Sequence, residues 1–222
     1  MALFWYMRNR KYFKSLFLEV ALIVVAILVV TASSDSLAQS NRDVSATAAV
    51  TNQSKNIRKS NQTSISSKSI SSAVADMFVG LVSEINLHPD RNVVELFAKG
   101  YGWKETSTEM NAMLNAKRGF SGKVAGQILL LGSDGTNDIF SIAIGNKFDQ
   151  KIFHGRLGET LTLKAVASDT SMGQRMDIYR IFDGPKYLGL LTVTYGVVEA
   201  VRGTGTVGFI SAARAKREGI GG

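Results

Sequence analysis

The sequence predicts a mainly β protein with a short helical N-terminal part, its core a small six-stranded β-barrel or half-closed barrel. Three observations carry this expectation. Eighteen of the 21 glycines fall in residues 119–222. Within that stretch six short β-rich runs alternate with turn residues, the spacing of a small all-β domain. Ahead of it, apolar residues recur at helical spacing instead.

The chain opens with Arg8, Arg10, Lys11 and Lys14, followed by the apolar run Val20–Val30 and the small-residue stretch Ser36-Leu37-Ala38. Basic, apolar and small segments in that order predict a signal peptide over 1–38, cleaved after Ala38. The apolar run has 11 residues, whereas a spanning helix needs roughly 20. Glu19 blocks its extension, since a carboxylate at mid-bilayer costs about 3 kcal/mol. An uncleaved anchor over about 15–32 is the alternative. The leader from Met7, MRNRKYFK, has the ordinary basic form, which makes Met7 the expected start.

Residues 39–72 hold ten serines and no aromatic, glycine or proline. Such a segment buries too little apolar surface to offset its ordering entropy and is expected to form a disordered stem. Its Asn52-Gln53-Ser54 and Asn61-Gln62-Thr63 triplets match the glycosylation acceptor pattern. In an Asn/Ser-rich tract that match arises by chance.

A helical segment is expected over 73–118. Ala73, Val74, Met77, Phe78, Leu81, Val82 and Ile85 predict an amphipathic helix capped by Ser71 or Ser72. A second helix is expected after Pro89, with Val93, Val94, Leu96 and Phe97 inward. Thr106 and Glu109 have capping-box spacing ahead of Met110, Met113 and Leu114, and Lys117-Arg118-Gly119 predicts the helix end.

The barrel is expected over 119–211, with strands near 123–131, 138–145, 159–167, 175–182, 187–199 and 205–211. The run LGLLTVTYGVVEA reads as one strand that bends at Gly196 and serves two sides of the barrel. The stretch SIAIGNKFDQKIFHG reads as a connection, with Gly145, Gly155 and, later, Gly189 as structural turn residues. A mobile basic, glycine-containing tail is expected over 212–222.

Charge and composition exclude several functions. The net charge is +8, but residues 73–222 hold 17 Lys+Arg against 15 Asp+Glu, so no nucleic-acid footprint is expected. The absence of cysteine rules out disulfides, cysteine-ligated metal and a thiol nucleophile. Gly145 and Lys147 do not form a phosphate loop, which needs a second glycine beside the lysine and a following helix. His154 is expected to be a solvent-facing turn residue and His88 a linker residue. They lack the spacing of a zinc site. No G-x-S-x-G is present. Asp134 and Asp138 flank a hairpin, where Asp suits the turn. No catalytic residue, metal or cofactor is expected.

Two segments carry a resemblance. IAIGNKFDQKIFHGRLGETLTL has the cadence strand, Gly, polar residues, Gly, strand. MDIYRIFDGPKYLGLLTVTYGVVEAVRGTGTV continues with Tyr179-Arg180, Leu188-Gly189 and Val193. Over about 120–210 this is similar to the carboxy-terminal domain of the FlgT flagellar-ring proteins and the β domain of the MreC cell-shape family. The chain is too short for a full FlgT and lacks the MreC coiled coil. The resemblance implies a non-catalytic scaffold or assembly role in the bacterial envelope and carries over no catalytic residue.

The resulting expectation is an exported, periplasmic or secreted protein that binds an envelope protein partner. Inner-membrane association follows instead if the leader is retained. Candidate partner-binding residues are Met77, Phe78 and Leu81 on the helix, and Tyr187 and Tyr195 on an exposed rim. The alternative is a small secreted hydrolase or ligand-binding β-barrel, which requires His154 in a pocket with two carboxylates within hydrogen-bond reach.

Overall fold

A computed structural model describes residues 69–220. The expected signal peptide, its alternative anchor and nearly all of the expected stem lie outside the described residues.

The chain builds helix α1 (Ile70–Leu87), α2 (Val93–Gly100), strand β1 (Lys104–Glu105), α3 (Thr108–Met113), β2 (Arg118–Val124), β3 (Gln127–Ser133) and β4 (Ile139–Ile144). It continues with α4 (Gln150–Gly158), β5 (Thr162–Ser171), β6 (Gln174–Asp183), β7 (Lys186–Gly196), a short 3-10 turn (Glu199–Val201), β8 (Gly205–Ser211) and α5 (Ala212–Arg217). The strands form one eight-stranded antiparallel sheet in the order β1-β2-β3-β4-β8-β7-β6-β5. Two four-stranded meanders are thus joined through the pairing of β4 with β8.

The fold is mainly β, as the sequence predicts, but the six-stranded barrel is corrected: the sheet has eight strands and is open. Closure would pair β1 with β5, and the two residues of β1 cannot satisfy the ten of β5. The expected strand over 123–131 is really a hairpin. Val124 pairs with Gln127 across a turn in which Ala125 and Gly126 both take positive φ, 47° and 79°, as a two-residue hairpin turn demands. The strand expected to bend at Gly196 ends there. Gly189 lies within β7 rather than at a turn. Its φ is +147°, and a Cβ would overlap the Ile210 carbonyl oxygen.

Helix α1 is held on one face of the sheet by an apolar stripe. Ser69, not Ser71 or Ser72, caps it, its hydroxyl accepting from Ser72 N at 3.2 Å. Phe78 lies among Phe140, Phe153 and Phe209, with ring centroids 5.6, 6.4 and 6.2 Å away. Phe140 and Phe209 stand on the paired strands β4 and β8, so α1 covers the seam between the two meanders. In α2, Val93, Val94 and Ala98 are buried, whereas Leu96 is 56% exposed, against the expectation. On the sheet's other face a smaller cluster of Leu114, Leu130 and Ala143 packs with Met110 and Ala116.

The connection after β4 holds a helix that the sequence analysis did not predict. Asp149 caps α4, accepting from Lys151 N at 2.8 Å and Ile152 N at 3.1 Å. Phe153 and Leu157, four residues apart, form its buried side. Gly155 is therefore a helical residue, not a turn. In the preceding loop the positive φ, 58°, belongs to Lys147. Arg156 Nε donates to Asp76 Oδ1 at 2.7 Å and ties α4 to α1.

The first six residues of the expected mobile tail form α5. Ser211 caps it, Ala215 is buried, and Asp138 receives both the Ser211 hydroxyl, at 2.5 Å, and the Arg217 guanidinium. Burial works to raise the Asp138 carboxyl, but these donors outweigh it and hold the group below its ordinary value.

Candidate functional site

Polar side chains converge where α4 crosses β6 and β7. In β6 the alternation of a strand places Arg175, Asp177, Tyr179 and Ile181 on one face, the face that packs against α4. Register then sets Tyr195 of β7 opposite Arg175. Asp177 is 5% exposed, and a carboxylate so placed needs partners. Arg175 Nε donates to its Oδ1 at 2.9 Å and Tyr195 Oη donates to its Oδ2 at 3.1 Å.

His154 comes to this cluster from α4. Its ring stands edge-on to Tyr179, centroids 4.8 Å apart at 76°. The Gln150 side-chain amide, one helical turn earlier, donates to Nδ1. His154 Nε2 is buried and has no hydrogen-bond partner among the described residues. Burial lowers the His154 pKa and the nearby Asp177 charge opposes the shift. The ring is neutral at pH 7. Burial, with the Asp177 charge, pushes the Tyr179 phenol up to about 12. Tyr195 is raised by burial and by donating to Asp177.

The histidine is thus half-buried, which corrects the expected solvent-facing turn residue. The cause is α4: a helix, unlike a turn, carries residue 154 back onto the sheet one turn above Gln150. The arrangement differs from that of an acid–base site. One carboxylate is near His154, and Arg175 and Tyr195 already engage it. Among the described residues no nucleophile is bonded to the ring, and a base needs its substrate proton within about 3 Å. Among the described residues no group of three His, Asp or Glu could hold a metal.

The predicted partner-binding residues are placed elsewhere than expected. Met77, Phe78 and Leu81 are buried beneath the sheet face, with exposures of 8%, 0% and 0%. A stripe of this size is the core contact itself, so none of the three is available to a partner. Tyr187 is half-buried against Phe182, centroids 5.5 Å apart, with its hydroxyl buried. Tyr195 is half-buried and bonded to Asp177. Neither forms an exposed rim.

Two features escaped the sequence analysis. One is the Arg175–Asp177–Tyr195 cluster, whose signal was the period of two in QRMDIYRIFD. The other is the outer edge of β5. Among the described residues β5 pairs with β6 alone, so one side of a ten-residue strand has no strand partner, although Thr170 N donates to Asp169 Oδ1 at 2.8 Å. A register shift between Ala165 and Ala167 interrupts this edge, and Ala167–Ser171 beyond it is regular. Comparison with family models, with curated proteins and with solved structures finds no match to this chain.

Proposed function

We propose that the protein is an exported, non-catalytic envelope component that binds a protein partner by adding a strand of the partner to the edge of β5. The observation that carries this is the open edge of Ala167–Ser171. Unpaired N–H and C=O groups on an edge are a template for another strand, with main-chain bonds supplying affinity and alternate side chains supplying selectivity. The bulge at Val166 and the charge of Lys164 guard the first half of the strand against indiscriminate pairing. That confines docking to the second half. Export rests on the leader of residues 1–38, and the envelope setting on the resemblance of residues 120–210.

The test is a photo-crosslinking amino acid at Ser168 or Thr170, both exposed on β5, in intact cells, with Leu96 as the control position. An envelope protein captured at the β5 positions and not at Leu96 is the expected result. No specific adduct at either β5 position would remove the edge as the docking site.

A further inference from the structure

One end of the sheet combines features that the core does not require. The β5–β6 turn is Met172-Gly173, with φ of 50° and 74°. A two-residue turn of this kind favours Asn-Gly or Asp-Gly, and a long apolar side chain at positive φ is unusual. Met172 is also 75% exposed, so packing does not compel it. Beside it the segment after β7 folds over the same turn. Val197 N and Val198 N donate to Gly173 O at 2.9 and 3.3 Å, and both valines stay exposed, at 42% and 46%. That segment runs on to Gly203, whose carbonyl accepts from Phe148 N at 2.7 Å. This brings in the loop of Lys147 and the first turn of α4, with exposed Lys151 and Ile152.

We infer that this end, with Met172, Val197, Val198 and Ile152 at its tip and Lys147 and Lys151 beside them, rests on an anionic lipid surface. The inference deepens the proposed envelope role and rests on the alternative reading of the leader, an anchor that is retained. Three observations favour lipid over protein. First, the described chain starts at this end: the Ser71 hydroxyl, in the first turn of α1, accepts from Asp149 N at 2.7 Å. The 68 preceding residues contain the apolar run Val20–Val30, so a leader retained as the anchor would tether the chain at this end.

Second, the apolar groups are few: Met172 in a turn, the adjacent Val197 and Val198, and Ile152 in the first turn of α4. A stable protein interface takes about 20–30 residues a side, whereas interfacial insertion needs only a few apolar groups entering the headgroup boundary, with basic residues beside them. Third, the charges suit an anionic surface. Arg175 and Tyr195 engage Asp177, Arg202 pairs with Glu199 at 2.8 Å, Asp149 caps α4, and Asp169, three residues before Met172, accepts from Thr170 N at 2.8 Å. Lys147 and Lys151 are left facing outward.

The chain has no cysteine, so one introduced cysteine carries one nitroxide. The full chain with Met172→Cys, and separately Val198→Cys, is mixed with vesicles of phosphatidylethanolamine and phosphatidylglycerol. Lys186→Cys, at the other end of the same strands, is the reference. At both tip positions the collision rate with a water-soluble nickel chelate should fall relative to Lys186, while collision with oxygen rises. Phosphatidylcholine vesicles should weaken the effect. Flotation reports retention by the leader independently of the probes. A chain that floats while its tip probes stay as wet as Lys186 refutes the lipid contact and spares the envelope reading. A chain that neither floats nor protects its tip probes refutes the lipid contact, while crosslinking at β5 still reports on the proposed function. Tip protection that appears without vesicles and grows with protein concentration assigns the surface to a second copy and overturns the inference.

Discussion

The Tyr195 hydroxyl donates to the Asp177 carboxylate at 3.1 Å across the β6–β7 pair, on the sheet face that α4 covers. Together with Arg175 it satisfies a charge that is almost wholly buried. Tyr195→Phe removes the donor and keeps the ring. The expected cost is about 1–3 kcal/mol, the penalty for a buried polar group that loses one partner, read as a shift in the urea midpoint without change in slope. An unchanged midpoint would show that water replaces the phenol freely.

Phe78 has the opposite character, since its side chain has no polar group and is fully buried in the apolar core. Phe78→Ala opens a cavity between Phe140, Phe153 and Phe209. A loss of about 3–5 kcal/mol is expected. Partner binding should fall only as far as the folded fraction falls. A stable Phe78→Ala protein with selectively lost binding would restore α1 as a docking surface.

His154 gives the fold a dependence on pH. Burial favours the neutral ring, so its folded pKa lies below the ordinary 6.5. On acidification the unfolded chain takes up the proton first. Stability from this group is therefore complete above pH 6.5 and declines as the pH falls below it. Denaturation curves at pH 7.5 and 5.5 for the native chain and His154→Gln measure the difference. The native chain should lose more stability than the variant between the two, and equal losses would remove His154 as the cause.

Asp138 fastens α5 through Ser211 and Arg217. Its folded pKa is held below 3.8, so this contribution is present above the unfolded value and lost as the pH falls through the folded one. Asp138→Asn leaves the sheet intact but weakens both bonds. Faster amide exchange over 212–217 at neutral pH, with β8 unchanged, is the expected pattern. Uniform acceleration would mean that α5 is part of the cooperative core.

The helical part was legible because its apolar residues have helical spacing: Val74, Phe78, Leu81 and Ile85 are all buried. Helix α4 was missed although Asp149, Phe153 and Leu157 carry a cap and a buried stripe. Gly155 and Gly158 dilute that pattern, since glycine opposes helix by about 1 kcal/mol. The β2–β3 hairpin was hidden by Ala125, which takes a conformation that sequence normally signals with Asn or Gly. Whether a sheet closes depends on the match between its two edges, which no single segment reveals. The site divides in the same way. Period two places Arg175, Asp177 and Tyr179 on one face, whereas their meeting with Tyr195 and His154 requires the register of β7 and the existence of α4.

The packing of Phe78 against Phe209 brings together the first helix and the last strand of the described chain. A ribosome delivers them in the opposite order to their need. Until β8 emerges, α1 has no complete seam to cover and β4 has no partner on its outer side. Contacts this distant close slowly and leave apolar surface and an unpaired edge uncovered meanwhile. A nascent chain stopped before residue 205 is therefore expected to be a chaperone client rather than a smaller folded domain. Force profiling with arrest peptides should register a single late folding event, once β8 has left the exit tunnel.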